Sequence, residues 1–268
     1  MKNRNLNTAK KKKNDEFYTQ YEDVKKEVDH YADQLKGKII FCNCDNPEQS
    51  NFYKYFYDNF DILGLKELIS SNADFKSEES IKMLKGCDIV ITNPPFSLFR
   101  EYIAQLMEYD KKFLVIGNYN AITYKEVFGF IKENKIWLGV SPRSMNFKKS
   151  DGSIDVVNAS WFTNLDNRKR HEDLILYKKY TPAEYPKYDN YDAINVDKVK
   201  DIPLDYFGYM GVPITYLTKH NPDQFEIIDS NSIRLNENVP FKSHGLIKDK
   251  DGSVNGINKY VRIVIKRK

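Results

Sequence analysis

Cysteine and histidine are scarce in this chain of 268 residues, which contains three cysteines and four histidines. Cys42, Cys44 and Cys87 include no pair separated by two residues, and no histidine stands at ligand spacing from them. A structural zinc site needs such a set of ligands. We therefore expect no zinc site and assign no metal ligand.

Long hydrophobic runs are also missing. No apolar run approaches the ~20 residues that a membrane span requires, and the N-terminus has no hydrophobic signal core. We therefore expect a cytoplasmic protein without a membrane partner.

A large excess of charge of one sign is absent as well, because the formal net charge is only +4. A surface for nucleic acid must then come from local basic clusters, which lie at residues 10–13, 168–171 and 266–268. Each cluster is as compatible with plain solvated surface as with phosphate contacts. The candidate DNA contacts are Lys12, Lys13, Arg168, Lys169 and Arg170.

Aromatic residues, in contrast, are abundant. They make up 14% of the chain, with 19 tyrosines and 16 phenylalanines, and hydrophobic residues as a whole make up 41%. This is the composition of a folded protein with many side chains that can stack, not of a disordered one. The length suits one large α/β domain, or a catalytic domain with a smaller lobe.

A strand signal followed by Asn-Pro-Pro-Phe is the most informative feature of the sequence. Residues 89–91 are apolar and β-branched, which favours a strand covered on both faces. Pro94 and Pro95 fix φ and remove two backbone donors, so neighbouring carbonyls are free to accept hydrogen bonds. The Asn93 amide oxygen and the Pro94 carbonyl could accept both hydrogens of an exocyclic amino group, while Phe96 stacks on its ring. The structural alternative is a strand that ends at proline beside an incidental aromatic residue.

Strand and helix patterns alternate along the first half of the chain, which predicts a doubly wound, mostly parallel sheet. A helical pattern of Val24, Val28, Tyr31 and Leu35 closes at Gly37. Strands are then predicted at residues 38–42, 65–69, 89–92 and 113–116, and helices at residues 52–60, 78–84, 98–108 and 125–133. Further strands are predicted at residues 135–140, 158–164 and 174–179, the last two as a hairpin that closes the sheet.

Two smaller predictions complete the organisation of the chain. Ser97 can cap the helix that follows the Asn-Pro-Pro-Phe loop. From residue 182 the composition changes to Tyr, Pro, Asp and Asn with short apolar runs, which indicates a second lobe of irregular, partly β structure. We therefore divide the chain into domains at residues 1–180 and 181–268.

The sequence resembles the EcoRI-type adenine-specific DNA methyltransferases along nearly its whole length. The strings that carry the resemblance include Thr92-Asn93-Pro94-Pro95-Phe96-Ser97 and lie within residues 14–20, 43–45, 50–52, 74–77, 92–101, 120–124 and 161–165. The resemblance implies the class I S-adenosylmethionine-dependent methyltransferase fold. It also implies transfer of a methyl group from S-adenosylmethionine to adenine N6 within a specific sequence of double-stranded DNA.

The resemblance also implies roles for individual residues. Residues 1–180 become the cofactor-binding catalytic domain, and residues 181–268 the target-recognition lobe. Asp74 is expected to accept from the amino group of the cofactor adenine while Phe75 packs on its face. The other cofactor residues are Phe17, Tyr18 and Thr19 at the methionine end and Asn43, Cys44 and Asp45 in the loop after the first strand, and the catalytic residues are Asn93, Pro94, Pro95 and Phe96.

Two features depart from the pattern of most methyltransferases. No glycine follows the first predicted strand, in residues 43–47, a peculiarity that the resembled family shares. Residues 65–74 are also shorter than the corresponding segment of that family, and no acidic residue ends the second strand near Ile69. The cofactor ribose then needs an unfamiliar partner, or Asp45 serves.

Several alternatives stay open at this stage. The loop alone also suits cytosine N4, RNA or a protein amide, whereas cytosine C5 chemistry is disfavoured because the chain has no Pro-Cys nucleophile pair. A catalytically silent DNA-binding protein with the same fold is the alternative from another class. A cognate restriction endonuclease is a candidate partner, and we expect a monomer.

Overall fold

The computed structural model describes residues 18–148, 154–189, 191–230, 253–259 and 262–268. The chain divides into two compact units, the first made of Met1–Ile122 and Ile136–Asn167 and the second of Thr123–Lys135 and Arg168–Lys268. The predicted boundary at residue 180 falls inside the second unit. The assignment of residues 181–268 to target recognition stays a prediction. Lys12, Lys13 and Phe17 lie outside the described residues.

The first unit contains nine strands and six helices within the described residues. Its strands are β1 (Tyr18–Thr19), β2 (Ile39–Asn43), β3 (Glu67–Ser71), β4 (Ile89–Thr92), β5 (Lys112–Asn118), β6 (Trp137–Leu138), β7 (Met145–Lys148), β8 (Ile154–Val157) and β9 (Ala159–Thr163). Its helices are α1 (Tyr21–Val28), α2 (Ala32–Leu35), α3 (Asn51–Asp58), α4 (Phe60–Leu63), α5 (Glu78–Gly86) and α6 (Phe99–Glu108).

Six of these strands form the central sheet, in the order β3-β2-β4-β5-β9-β6. The strands β3, β2, β4 and β5 are parallel to one another, and β9 is antiparallel to both of its neighbours. Every residue of β4 is buried, which explains its continuous apolar, β-branched sequence. The prediction of an α/β fold with a mostly parallel sheet is confirmed.

The strand order reverses at β2, which gives the sheet a switch point. After β2 the chain adds β3 on one side of it, and it then crosses over to add β4 on the other side. Ligands of open α/β sheets bind in the crevice outside the carboxyl ends of the strands at such a point. The loops that follow β2 and β4 are therefore the place to look for a site.

A second, three-stranded sheet in the order β1-β7-β8 belongs to the same unit. The short strand β1 pairs antiparallel with β7, which places Thr19 opposite Phe147, and β8 pairs with β7 as the other arm of a hairpin. Phe147 and Thr19 are both buried. This sheet therefore joins the N-terminal segment to the β7–β8 hairpin.

Glu27 on α1 holds the chain that follows β6. Its two carboxylate oxygens accept the backbone N–H groups of Val140 at 2.7 Å and Ser141 at 2.6 Å, and the hydroxyl of Tyr31 donates to it at 2.9 Å. Glu27 is fully buried. A side chain on Gly139 would overlap Glu27 Oε1, so glycine is required at that position for steric reasons.

The second unit is built on a four-stranded sheet in the order β10-β11-β15-β12. Its elements are helix α7 (Lys125–Lys132) and strands β10 (Ala193–Asn195), β11 (Tyr209–Pro213), β12 (Phe225–Ser230), β13 (Ser253–Val254), β14 (Ile257–Asn258) and β15 (Arg262–Arg267). Asn255 and Gly256 turn the β13–β14 hairpin with φ of 51° and 74°, and their N–H groups donate to the Asp189 carboxylate at 2.9 and 2.8 Å. The partly β structure expected from residue 182 onward is present among the described residues of this unit.

Two local predictions are wrong. Residues 174–179 form no regular strand, because they have only an isolated bridge between Lys178 and Pro203, and β9 pairs with β5 and β6 instead. Ser97 does not cap α6, because a 3₁₀ turn at Phe96–Leu98 comes first and Leu98 is the N-cap residue.

Among the described residues, no helix is long and apolar enough to cross a membrane. In the same part of the chain, no group of three or more His, Cys, Asp or Glu side chains could hold a metal ion.

Candidate active site

The predicted catalytic residues, 93–96, directly follow the end of β4. Pro94 is buried, whereas Asn93, Pro95 and Phe96 are partly exposed. The N–H of Leu98 donates to the Pro95 carbonyl at 3.0 Å, which closes the 3₁₀ turn. The two prolines supply no N–H donor of their own, so the backbone around Asn93 is rich in acceptors.

The loop after β2 lies next to this segment and is connected to it through Asp45. The hydroxyls of Ser50 and Thr92 each donate to an oxygen of the Asp45 carboxylate at 2.5 Å, and the backbone N–H of Asn93 donates to the same carboxylate. Burial raises the pKa of Asp45 to about 6, and these hydrogen bonds act in the opposite direction. Asp45 thus ties the end of β4 to the loop after β2.

Cys44 holds the loop after β2 in an uncommon backbone conformation. Its φ is +71°, in the left-handed region that favours glycine, and its N–H donates to the Asn43 side-chain oxygen at 3.0 Å. Burial raises the pKa of the Cys44 thiol, and the Asp45 and Asp74 carboxylates add to this effect. The tight turn that a glycine-rich loop provides elsewhere is therefore made here by a cysteine.

Phe96 contacts a side chain from the second sheet of the unit. Its ring meets the Phe147 ring edge to face, with 6.2 Å between the centroids and an angle of 88° between the planes. Phe147 is fully buried and pairs through its backbone with Thr19. The candidate stacking residue is therefore held against the sheet that contains the N-terminal segment.

Asp74 lies three residues beyond the end of β3, on the side of the loop after β2. It is exposed, and one carboxylate oxygen accepts from the Lys76 N–H at 3.0 Å. The N-cap of α5 is Ser77, whose hydroxyl accepts from Ser80, so a capping role for Asp74 is excluded. The Asp74 carboxylate lies close enough to Cys44 for its charge to raise the pKa of the thiol, so Asp74 is near the loop after β2.

Phe75 is placed differently from its neighbour. The residue is 3% exposed, and its ring meets the Tyr102 ring edge to face at 5.0 Å and lies 5.5 Å from the Lys76 ammonium. The Phe75 carbonyl accepts from Gln105 at 3.1 Å. The residue therefore anchors the segment after β3 onto α6, and its packing on a cofactor stays a prediction.

Thr19 supplies the test of whether a cofactor fits. Its carbonyl accepts from the Asn51 side chain at 2.7 Å, which brings it to the loop after β2. Its hydroxyl is buried and has no hydrogen-bond partner among the described residues. A buried, unsatisfied hydroxyl is costly unless a ligand completes it, and a carboxylate such as that of a methionine moiety would do so. The residues present therefore fit S-adenosylmethionine.

The basic cluster at residues 168–171 forms a 3₁₀ turn in the second unit and is not uniform. The Arg168 side chain is 94% exposed, with a 3.9 Å ion pair to Glu172, whereas Arg170 is buried and donates to the Asn134 side-chain oxygen. Lys169 is intermediate in exposure. Arg168 is therefore the arginine of this cluster whose side chain is open to solvent.

Sequence reasoning missed three residues that shape the site. Ser50 caps α3 by accepting from Phe52 and Tyr53 while it donates to Asp45, and a serine directly before an aromatic helical pattern is a usable signal for such a cap. Nothing in the sequence pointed to the structural roles of Thr92 and Phe147, because these roles depend on contacts made across the fold.

Comparison with known proteins identifies the family. The family described as "Adenine-specific methyltransferase EcoRI" matches residues 5–72 and 69–268. The type II methyltransferase M.EcoRI of Escherichia coli is 46% identical, over 99% of this chain and 97% of its own. M.MpnI of Mycoplasma pneumoniae and M.MgeORF184P of Mycoplasma genitalium are 40% and 37% identical, over 98% of each chain. The chain belongs to the EcoRI-type adenine-specific methyltransferase family.

One difference separates this family member from its relatives. The alignment with M.EcoRI extends over 329 positions, so at least 61 of them face no residue of this 268-residue chain. The two family matches meet at residues 69–72, at the end of β3. The short connection between β3 and Asp74 noted in the sequence agrees with the position of this break.

Proposed function

We propose that this family member transfers a methyl group from S-adenosylmethionine to adenine N6 in a specific sequence of double-stranded DNA, with the target base flipped out of the helix. One observation carries the proposal. The Asn-Pro-Pro-Phe loop and the loop after β2 meet at the switch point of the sheet and are joined through Asp45. Family membership supports adenine over cytosine N4, RNA or a protein amide.

The chain acts by orienting a weak nucleophile. S-adenosylmethionine, when bound, supplies a methyl group already activated on a sulfonium. Hydrogen bonds from adenine N6 to the Asn93 side-chain oxygen and the Pro94 carbonyl favour the less conjugated nitrogen that develops during attack. No general base is needed before attack, because the methylated N6 becomes cationic and then releases one proton to solvent. Adenine N6 is inaccessible within a duplex, so the base must be extruded, and stacking on Phe96 offsets part of that cost of a few kcal/mol.

The cofactor residues divide according to the part of the molecule they would hold. The free Thr19 hydroxyl suits the methionine carboxylate, with Phe17 and Tyr18 as the adjoining segment. Asp74 suits the adenosine half, because it is exposed beside the loop after β2. Asn43, Cys44 and Asp45 contribute through the shape of that loop.

DNA contacts are assigned to two basic clusters of the sequence. Arg168 and Lys169 position the duplex through phosphate, Lys12 and Lys13 add attraction from the N-terminal arm, and residues 181–268 read the bases. Arg170 supports the cluster from within. A cognate restriction endonuclease is the expected partner in the cell, and a monomer suffices for methylation.

A second candidate function is favoured by the missing segment. A chain with at least 61 fewer aligned positions than M.EcoRI, and with a break in its family match at residues 69–72, could have kept DNA binding without binding the cofactor. Titration calorimetry with S-adenosylmethionine on the purified protein separates the two functions, since a silent DNA-binding protein gives no heat of binding.

The decisive experiment is methylation of a random-sequence DNA library, followed by mapping of N6-methyladenine. The parent protein is expected to mark one short sequence, and Asn93→Ala is expected to leave the library nearly unmarked. Cofactor binding without any methylated sequence would reject the proposed reaction while leaving cofactor binding intact.

A further inference from the structure

Asp45 joins three segments that surround the switch point. Its backbone N–H donates to the Ser71 carbonyl at 3.0 Å, and its carbonyl accepts from the Ser70 hydroxyl at 2.7 Å, so it is fixed to the edge strand β3. Its side chain accepts from Ser50 at the start of α3 and from Thr92 at the end of β4. All of these partners lie in the first unit.

The side chain of Asp45 is occupied by protein groups rather than available to a ligand. The residue is only 8% exposed, and both carboxylate oxygens accept hydroxyl protons at 2.5 Å. The backbone N–H of Asn93 is a further donor. An exposed carboxylate that hydrogen-bonds ribose hydroxyls would need at least one oxygen free toward solvent.

The Thr92 hydroxyl lies between the Asp45 carboxyl group and the backbone of Asn43. Its hydroxyl lies within hydrogen-bond reach of both Asp45 Oδ2 and the Asn43 carbonyl, yet it has a single proton to donate. A proton on Asp45 Oδ2 would satisfy all three groups, since Asp45 could then donate to Thr92 while Thr92 donates to Asn43. The threonine therefore links the backbone of the loop after β2 to the carboxyl group that holds Asn93.

We propose that Asp45 is a positioning residue of methyl transfer: it holds the backbone of Asn93 in register with the loop after β2, and is not a cofactor ligand. The inference rests on the proposed function, because it assumes that Asn93 accepts from the target amine. Without the Asp45 contacts, the Asn93 N–H loses its acceptor and the Asn93 side chain is no longer fixed in position. A misplacement of about 1 Å near reacting groups can cost on the order of 10²-fold in rate.

The test is a double-mutant cycle in single-turnover methylation at saturating S-adenosylmethionine, with Asp45→Asn, Asn93→Ala and the double variant. Asp45→Asn is expected to lower the rate about 10-fold to 100-fold, with calorimetric cofactor affinity within about twofold of the parent. The double variant is expected to match Asn93→Ala within about threefold, because Asp45 acts through Asn93.

Thr92 supplies a second route in case Asp45→Asn fails to fold. Thr92→Val removes the hydroxyl at nearly constant volume and is expected to be non-additive with Asn93→Ala, whereas Thr92→Ser restores the hydroxyl and most of the lost rate. Multiplicative effects in either cycle, or a cofactor affinity at least 10-fold weaker in Asp45→Asn, would overturn the inference. Parental turnover by Asn93→Ala would instead reject the proposed function.

Discussion

At the scale of single residues, Asn93 provides the sharpest test of the catalytic loop. Asn93→Ala removes one acceptor of the target amine, and the loss of one preorganised transition-state hydrogen bond costs on the order of 10² to 10³-fold in rate. The single-turnover rate should fall by that factor, while unfolding in urea and cofactor affinity stay near the parent. Asn158→Ala, at an exposed asparagine of the same unit, is the control. Parental turnover in Asn93→Ala would contradict the assignment.

A substitution at Asp74 tests cofactor binding separately from DNA binding. Asp74→Ala removes an exposed carboxylate beside the loop after β2 and should weaken S-adenosylmethionine binding by about 10-fold, the loss of a charge-assisted hydrogen bond of roughly 1.5 kcal/mol. Affinity for duplex DNA should stay unchanged. Calorimetry and a DNA-binding titration measure the two, with Asp61→Ala on α4 as an exposed aspartate control. Equal cofactor affinity in Asp74→Ala and the parent would remove Asp74 from the site.

The raised pKa of Asp45 leads us to expect that the stability of the protein depends on pH. Its pKa is about 6 in the folded protein, above the ordinary value of 3.8, so folding favours the protonated form. Its contribution to stability is complete below pH ~4 and is lost as the pH rises to ~6, a change on the order of 3 kcal/mol. Urea unfolding of Asp45→Asn across this range should show a flatter profile than the parent. Equal slopes in the two proteins would mean that Asp45 titrates normally.

Residues differ in how far sequence reasoning can reach them. The lack of backbone donors at Pro94 and Pro95 was predictable because it depends only on the residue type. The environment of Asp45 was not, because its partner Thr92 lies 47 positions along the chain and the two meet only when β2 and β4 pair. The positive φ of Cys44 was equally hidden, since no glycine marks the turn.

At the scale of secondary structure elements, we expect Glu27 to stabilise the protein by holding α1 to the chain after β6. Glu27→Gln keeps one oxygen that can accept a hydrogen bond but replaces the other with an NH₂ group. The NH₂ group then faces the N–H of Val140 or Ser141, so that buried donor loses its acceptor. The free energy of unfolding should fall by about 2 to 4 kcal/mol. Urea denaturation measures this, with Glu22→Gln on the exposed face of the same helix as the control. If Glu27→Gln lowered the free energy of unfolding no more than the control does, the hydrogen bonds of Glu27 would contribute nothing to stability.

Elements with strong periodic patterns were predicted well. Strand β4 has the predicted bounds, α6 begins one residue later than predicted, and β2 is shifted by one residue at both ends. Strand β3 begins two residues later than predicted, because the turn at Gly64 occupies residues assigned to it. Residues 174–179 have an apolar pattern but no partner strand, and a strand needs a neighbour as much as a pattern.

At the scale of the whole molecule, DNA binding should depend on Arg168 without regard to sequence. Arg168→Gln removes one exposed charge and should weaken binding to all duplexes about equally, with the slope of log affinity against log salt reduced by about 1. Arg170→Gln, at the buried neighbour that donates to Asn134, should lower stability instead. Affinity titrations at several salt concentrations measure the slope. An unchanged slope in Arg168→Gln would make this cluster ordinary surface.

The edge position of β3 allows members of this family to differ in length after this strand while the interior strands of the sheet stay in place. Among the described residues, β2 is the one strand that borders β3, so residues after β3 can be gained or lost without moving an interior strand. Length variation at this point spares β4, β5 and the Asn-Pro-Pro-Phe loop. The same property makes residues 72–73 a suitable place to insert a foreign peptide, such as an affinity tag or a fluorescent reporter of cofactor binding.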